Sequence, residues 1–167
     1  MQTLSTLAMA DAFIAAGVGE PLAKLSAKEA ARLRSRLEQL CNSDDPASLL
    51  RAWLASREHR LCLEARDLNF LRADERLVLA GVSLPQSGLN SAGFLEAYVH
   101  GDDVAPLMRR HMMREASPSK ANVVLHVVDE FPVDPGAPLR LAADLASHNN
   151  RSLREDARVA ELLRLLP

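Results

Sequence analysis

An α+β fold is the class this sequence predicts: a helical amino-terminal region over residues 1–58, then a small mixed sheet with flanking helices over 59–167. Three observations lead there. Apolar residues in the first third recur at helical spacing and open on capping signals. From Arg60 the pattern changes to alternation and to short runs rich in Val and Leu, as strands require. Beyond the Pro-rich link Pro132–Pro138 the helical spacing returns.

Each element has its own signal. Residues 4–16 form the first expected helix, stopped by Gly17 and Gly19. Ser26 with Glu29 three residues on is a capping box, and the helix it opens carries Ala30, Leu33, Leu37, Leu40 and Cys41 on one stripe. Asn42–Pro46 breaks that helix. Pro46 suits the first position of the next, which turns Leu49, Leu50, Trp53 and Leu54 inward. Arg60–Glu64 alternates polar and apolar residues, and Leu77–Ala80 is a short apolar strand that stops at Gly81. Pro85–Gly93 holds turn chemistry, and Phe94–Val99 is a further strand. Asp102 or Asp103 is expected to cap a helix whose apolar face is Val104, Leu107, Met108, His111 and Met112. Asn122–Val128 is the clearest strand, with Val123, Leu125 and Val127 on one face. Two helices close the chain, one over Leu139–Ser147 and one opened by a capping box at Ser152 and Glu155.

With 167 residues, 48% of them hydrophobic, the chain can bury a core without a disulfide or metal staple. A net charge of −2 gives no global basic field, so any contact with nucleic acid must come from local clusters. Cys41 and Cys62 lack a CxxC partner and read as buried reduced thiols with no metal or disulfide role. The start of the chain has no basic leader, and no apolar run approaches the roughly 18 residues of a membrane span. These features predict a cytoplasmic protein with no membrane partner.

One region suggests chemistry. A nucleotidyltransferase places Gly and Ser at a strand end to hold phosphates, with a pair of acids on the next strand to hold Mg²⁺. Gly81 and Ser83 follow the Leu77–Ala80 strand in that manner, Glu96 stands at the first acid position, and Asp129 ends the Asn122–Val128 strand. Tyr98 occupies the second acid position and cannot neutralise a metal-bridged phosphate. The expectation is a nucleotidyltransferase-like core that has lost its acidic pair. No catalytic residue, metal or cofactor is assigned; a minimal nucleotidyltransferase using Ser83, Glu96 and Asp129 is the enzymatic alternative.

The histidines read as structural. His100 with Asp102 marks a strand-to-helix turn, His111 lies on the apolar face of its helix, and His126 points to the solvent or helix-facing side of the sheet. Two basic flanks remain. Lys28 and Arg32 are four residues apart on one helix, and Arg110 and Arg114 share the same spacing. They are the candidates for contact with DNA or a partner protein. A helix-turn-helix over Ala15–Glu20 fits poorly, because Phe13 is bulky where close helix contact needs a small residue.

Taken together, Arg76–Ser83, Glu96–Val99, Asn122–Val128, the Leu141–Leu145 helix and Arg154–Asp156 resemble the carboxy-terminal region of AbiEi-type antitoxins of type IV toxin–antitoxin systems. Related actinobacterial proteins of unknown role share the pattern. The resemblance covers residues 76–167. It implies a nucleotidyltransferase-like shape used for regulation, an amino-terminal winged helix that binds DNA, and a toxin as protein partner. The first 60 residues do not carry the winged-helix sequence of that family. The expected role is therefore a non-enzymatic, antitoxin-like regulator of transcription that binds DNA, a partner protein, or both. A structural assembly module, with the Val159–Leu166 helix packing on a partner, is the other alternative.

Overall fold

The computed structural model describes residues 26–54, 59–148 and 152–166. The expected helix over 4–16 and the turn at 15–20 lie outside them. The fold is α+β, with six helices and a five-stranded mixed sheet among the described residues. It divides into two compact units: residues 1–57 with 137–167, and residues 58–136.

In the helical unit, α1 (Ala27–Cys41) begins at the Ser26 capping box, where the Ser26 hydroxyl accepts the Glu29 N–H and the Glu29 carboxylate accepts the Ser26 N–H. Pro46 opens α2 (Pro46–Leu54). Leu33 and Leu40 of α1 and Ala47, Leu50 and Leu54 of α2 are buried, as the helical stripes require. Helix α2 packs on the two closing helices. The expected boundary near residue 58 is where the units part. The expected domain 59–167 differs: residues 137–167 group with the helices, because their apolar stripes complete that core.

In the second unit the elements are β1 (His59–Glu64), α3 (Leu68–Arg72), β2 (Val78–Leu79), β3 (Leu95–His100), α4 (Gly101–Arg110), β4 (Arg114–Glu115) and β5 (Val123–Val128). The sheet order is β2-β3-β5-β1-β4. Among these strands β3 and β5 run parallel, and the other pairs are antiparallel. A parallel pair needs a crossover, and α4 lies within it. Period two then sorts the faces. Leu63, Leu95, Ala97, Val99, Val123 and Leu125 share one core with Leu71 of α3 and Leu107 of α4. Glu96, Tyr98 and His126 alternate with them and are buried as well.

Several local expectations shift. Helix α4 starts at Gly101 with His100 at its cap and no side-chain capping bond, so Asp102 and Asp103 act on the helix dipole from the first turn instead. Helix α3 was not expected; Asp67 caps it, its carboxylate accepting the Phe70 N–H at 2.9 Å. Asn122 clamps the β1 end by accepting the Ala65 N–H and donating to the Ala65 carbonyl. Cys41 and Cys62 are expected to be buried, but Cys41 is exposed and Cys62 only partly covered.

The closing helices are α5 (Pro138–Ser147) and α6 (Leu153–Leu163), which pack on each other. The Ser152–Glu155 capping box is present. Among the described residues, no helix is long and apolar enough to cross a membrane.

Candidate functional site

Gly81, Ser83 and Glu96 meet, and they meet by closing on one another. The antiparallel register sets Leu79 opposite Ala97, which brings the short 3₁₀ turn Gly81–Ser83 beside Glu96. Glu96 Oε2 accepts the Val82 N–H at 3.0 Å. The Ser83 hydroxyl accepts the Glu96 N–H at 2.8 Å, and the Ala80 N–H donates to the Glu96 carbonyl at 2.9 Å. Gly81 has φ +46°, and a Cβ there would fall within the Glu96 carboxylate. Only glycine fits that position, because it alone combines a left-handed backbone with an empty Cβ site.

The other carboxylate oxygen faces a histidine. His126 Nε2 lies 2.7 Å from Glu96 Oε1, and both side chains are buried, at 0% and 2% exposure. His126 stands opposite Tyr98 in the β3–β5 register, and the two rings lie 5.2 Å apart in a tilted arrangement. Of the solvent-facing or helix-facing placement expected for His126, the solvent-facing one is excluded: it is fully buried and hydrogen-bonded to an acid. Each Glu96 oxygen has a protein partner, as a buried carboxylate requires.

Asp129 does not join them. Glu96 pairs with Val124 along parallel strands, so Asp129 lies five positions further on, roughly 16 Å along the strand. It is also exposed. Ser83, Glu96 and Asp129 therefore form no common site. Among the described residues no group of three or more His, Cys, Asp or Glu side chains is placed to hold a metal.

Of the contact candidates, Lys28 and Arg32 are exposed on one flank of α1, away from buried Leu33 and Leu40. Arg36 continues that flank and lies over the Trp53 ring, 5.7 Å from its centroid. Arg114 is exposed and paired with Glu64 at 2.8 Å across the β1–β4 edge. Arg110 is exposed at the end of α4, and its guanidinium lies 5.4 Å from the centroid of the Phe70 ring. The Arg110 and Arg114 side chains are thus engaged with different neighbours.

Sequence reasoning missed a second polar centre, built on Asp74. Its carboxylate accepts the Arg76 Nε–H at 2.9 Å, the Arg76 Nη2–H at 2.8 Å and the Arg76 backbone N–H at 3.2 Å. His111 Nε2 stands 2.8 Å from Asp74 Oδ2. The Arg76 guanidinium, opposed by partial burial and helped by His111, holds the Asp74 carboxyl well below the usual range. His111 is the core residue expected, with its Nδ1 buried and unpaired among the described residues. The spacing Asp74-x-Arg76 is the only local hint; His111 is 37 residues away and is brought in by the fold.

A third carboxylate–histidine pair lies in the helical unit. Glu155 Oε1 is 2.5 Å from His148 Nδ1, while Oε2 accepts the Ser152 N–H. Burial pushes the Glu155 carboxyl up, but the bonds from His148 and Ser152 outweigh it and leave the group below its ordinary value.

Compared with models of known protein families, with curated proteins and with solved structures, the chain matches none.

Proposed function

We propose that this chain is a non-enzymatic, antitoxin-like regulator that acts by binding duplex DNA, a protein partner, or both. One observation carries the reading. The acid on which nucleotidyl transfer would depend, Glu96, is buried, with one oxygen bonded to Val82 and the other to His126. Gripping a metal would require breaking both hydrogen bonds, so the Gly81–Ser83–Glu96 arrangement suits a stable scaffold better than a catalyst. The exposed Lys28–Arg32 flank supports a role in contacting an anionic partner.

Fluorescence anisotropy against operator-like and random duplexes at several salt concentrations tests this reading. Binding should weaken steeply with salt, and replacing Lys28 or Arg32 with Ala should reduce the logarithmic salt slope by about 1 for each phosphate no longer neutralised. Salt-indifferent affinity, or no binding, removes DNA and leaves the protein partner. Incubation with labelled nucleotides and Mg²⁺ or Mn²⁺ addresses the enzyme: turnover that disappears in Glu96→Ala overturns the regulatory reading.

A further inference from the structure

We propose that the cleft between α3 and the end of α4 is a binding site for a small aromatic oxyanion, a flat ring bearing a carboxylate or phosphate. The cleft has a volume of about 590 Å³ and is lined by Phe70, Asp74, Glu75, Arg76 and Arg110 together with Ala73. It lies within one compact unit and on the sheet face opposite Glu96. The inference goes beyond the regulatory reading and needs neither DNA nor a partner protein.

The hydrogen-bonding capacity at the centre of the cleft favours an anion. Asp74 is saturated, because each of its oxygens accepts two hydrogen bonds from Arg76 and His111. It therefore organises cations and has no lone pair left for a ligand. Arg110 is the opposite case. Its Nε stands 3.8 Å from Asp74 Oδ2, beyond hydrogen-bond distance, and its side chain is 60% exposed. The planar fork is held by the Phe70 ring below it and the Asp74 charge beside it, and among the described residues its N–H groups meet no acceptor. A fork held in this manner matches a carboxylate or phosphate.

Phe70 supplies the second half of the recognition. It is 48% exposed, unusual for an aromatic side chain so close to a core. Its ring is tilted against His111 at 4.6 Å, and His111 is fixed by Asp74. The aromatic wall is thus stiff, and an aromatic ligand can pack on it without ordering a loose side chain. Glu75, exposed at the rim, opposes an anion and lowers the affinity without blocking the site.

Amide shift titrations of the full chain, free of nucleic acid, test the site with phenyl phosphate, benzoate, cyclohexyl phosphate and inorganic phosphate. Phenyl phosphate, benzoate or both should give saturable shifts confined to residues 70–76 and 110–111, and the tighter of the two identifies the head group. Cyclohexyl phosphate and inorganic phosphate should bind at least about tenfold more weakly. Arg110→Ala should weaken the aromatic anions at least about tenfold, Phe70→Leu should bring phenyl phosphate to the level of cyclohexyl phosphate, and Glu75→Gln should tighten binding. Arg110→Lys, which keeps the charge and the stem, should also lose affinity, so a fold defect in the alanine variant does not decide the matter. The proposal is overturned if millimolar probes leave these amides unmoved, if inorganic phosphate binds as well as phenyl phosphate, or if both Arg110 variants bind normally.

Discussion

Gly81 shows at the scale of one residue how a motif changes meaning once its neighbours are known. In sequence, Gly81 and Ser83 read as a phosphate-holding turn; in the fold that turn closes on the chain's own Glu96, whose carboxylate accepts the Val82 N–H and whose backbone N–H donates to the Ser83 hydroxyl. Gly81→Ala must bear a left-handed backbone and displace that carboxylate, and should destabilise the protein by about 2–4 kcal/mol in urea unfolding. A loss below about 1 kcal/mol would mean that the carboxylate moves aside freely. Glu96 and His126 should be energetically coupled: a double-mutant cycle with Glu96→Gln and His126→Ala should give an interaction of about 1–3 kcal/mol. Asp74 predicts the pH response. Its folded pKa lies below the unfolded value of 3.8, so its stabilising contribution is present above that value and is lost as pH falls toward the folded pKa. Asp74→Asn should therefore cost stability at pH 6, and the gap from the parent should narrow as unfolding is measured at successively lower pH below 4.

Helix ends set the predictions at the scale of elements. The Ser26 and Ser152 boxes were both legible, because capping is an interaction between residues three apart and needs no tertiary structure. Ser152→Ala should cost about 1 kcal/mol, and more than Ser26→Ala, since Glu155 is buried and also holds the half-buried His148, whereas the Ser26 box is exposed. Thermal unfolding of the two variants compares them directly. Two residues beyond the end of α4, Met112 has φ +49° and is 71% exposed. A left-handed backbone strains any residue with a Cβ, so Met112→Gly should stabilise the protein by about 0.5–1 kcal/mol. An unchanged or lower melting temperature would count against strain at that turn. Helix α3 shows the limit of local reading. Its five residues are too few for an apolar stripe to emerge, and its Asp67 cap is recognised only once the fold is known.

For the molecule as a whole, the path of the chain matters more than any single interaction. The helical unit is discontinuous in sequence, with α2 packed on α5 and α6. Deleting residues 137–167 should expose Leu50 and Leu54 and abolish amide exchange protection across α1 and α2. Protection that survives there would show that the first two helices hold together without the last two. Local residue patterns were enough to specify the fold class, the main strands, both capping boxes and the place near residue 58 where helices give way to sheet. All of these rest on periodicity and on pairs a few residues apart. Folding in three dimensions was needed to join the closing helices to the first ones, to turn His126 inward to Glu96, and to set Asp129 five positions from it along the sheet. Those outcomes depend on strand order and register, which alternation leaves open because period two fixes the face of a side chain but not its neighbour on the next strand.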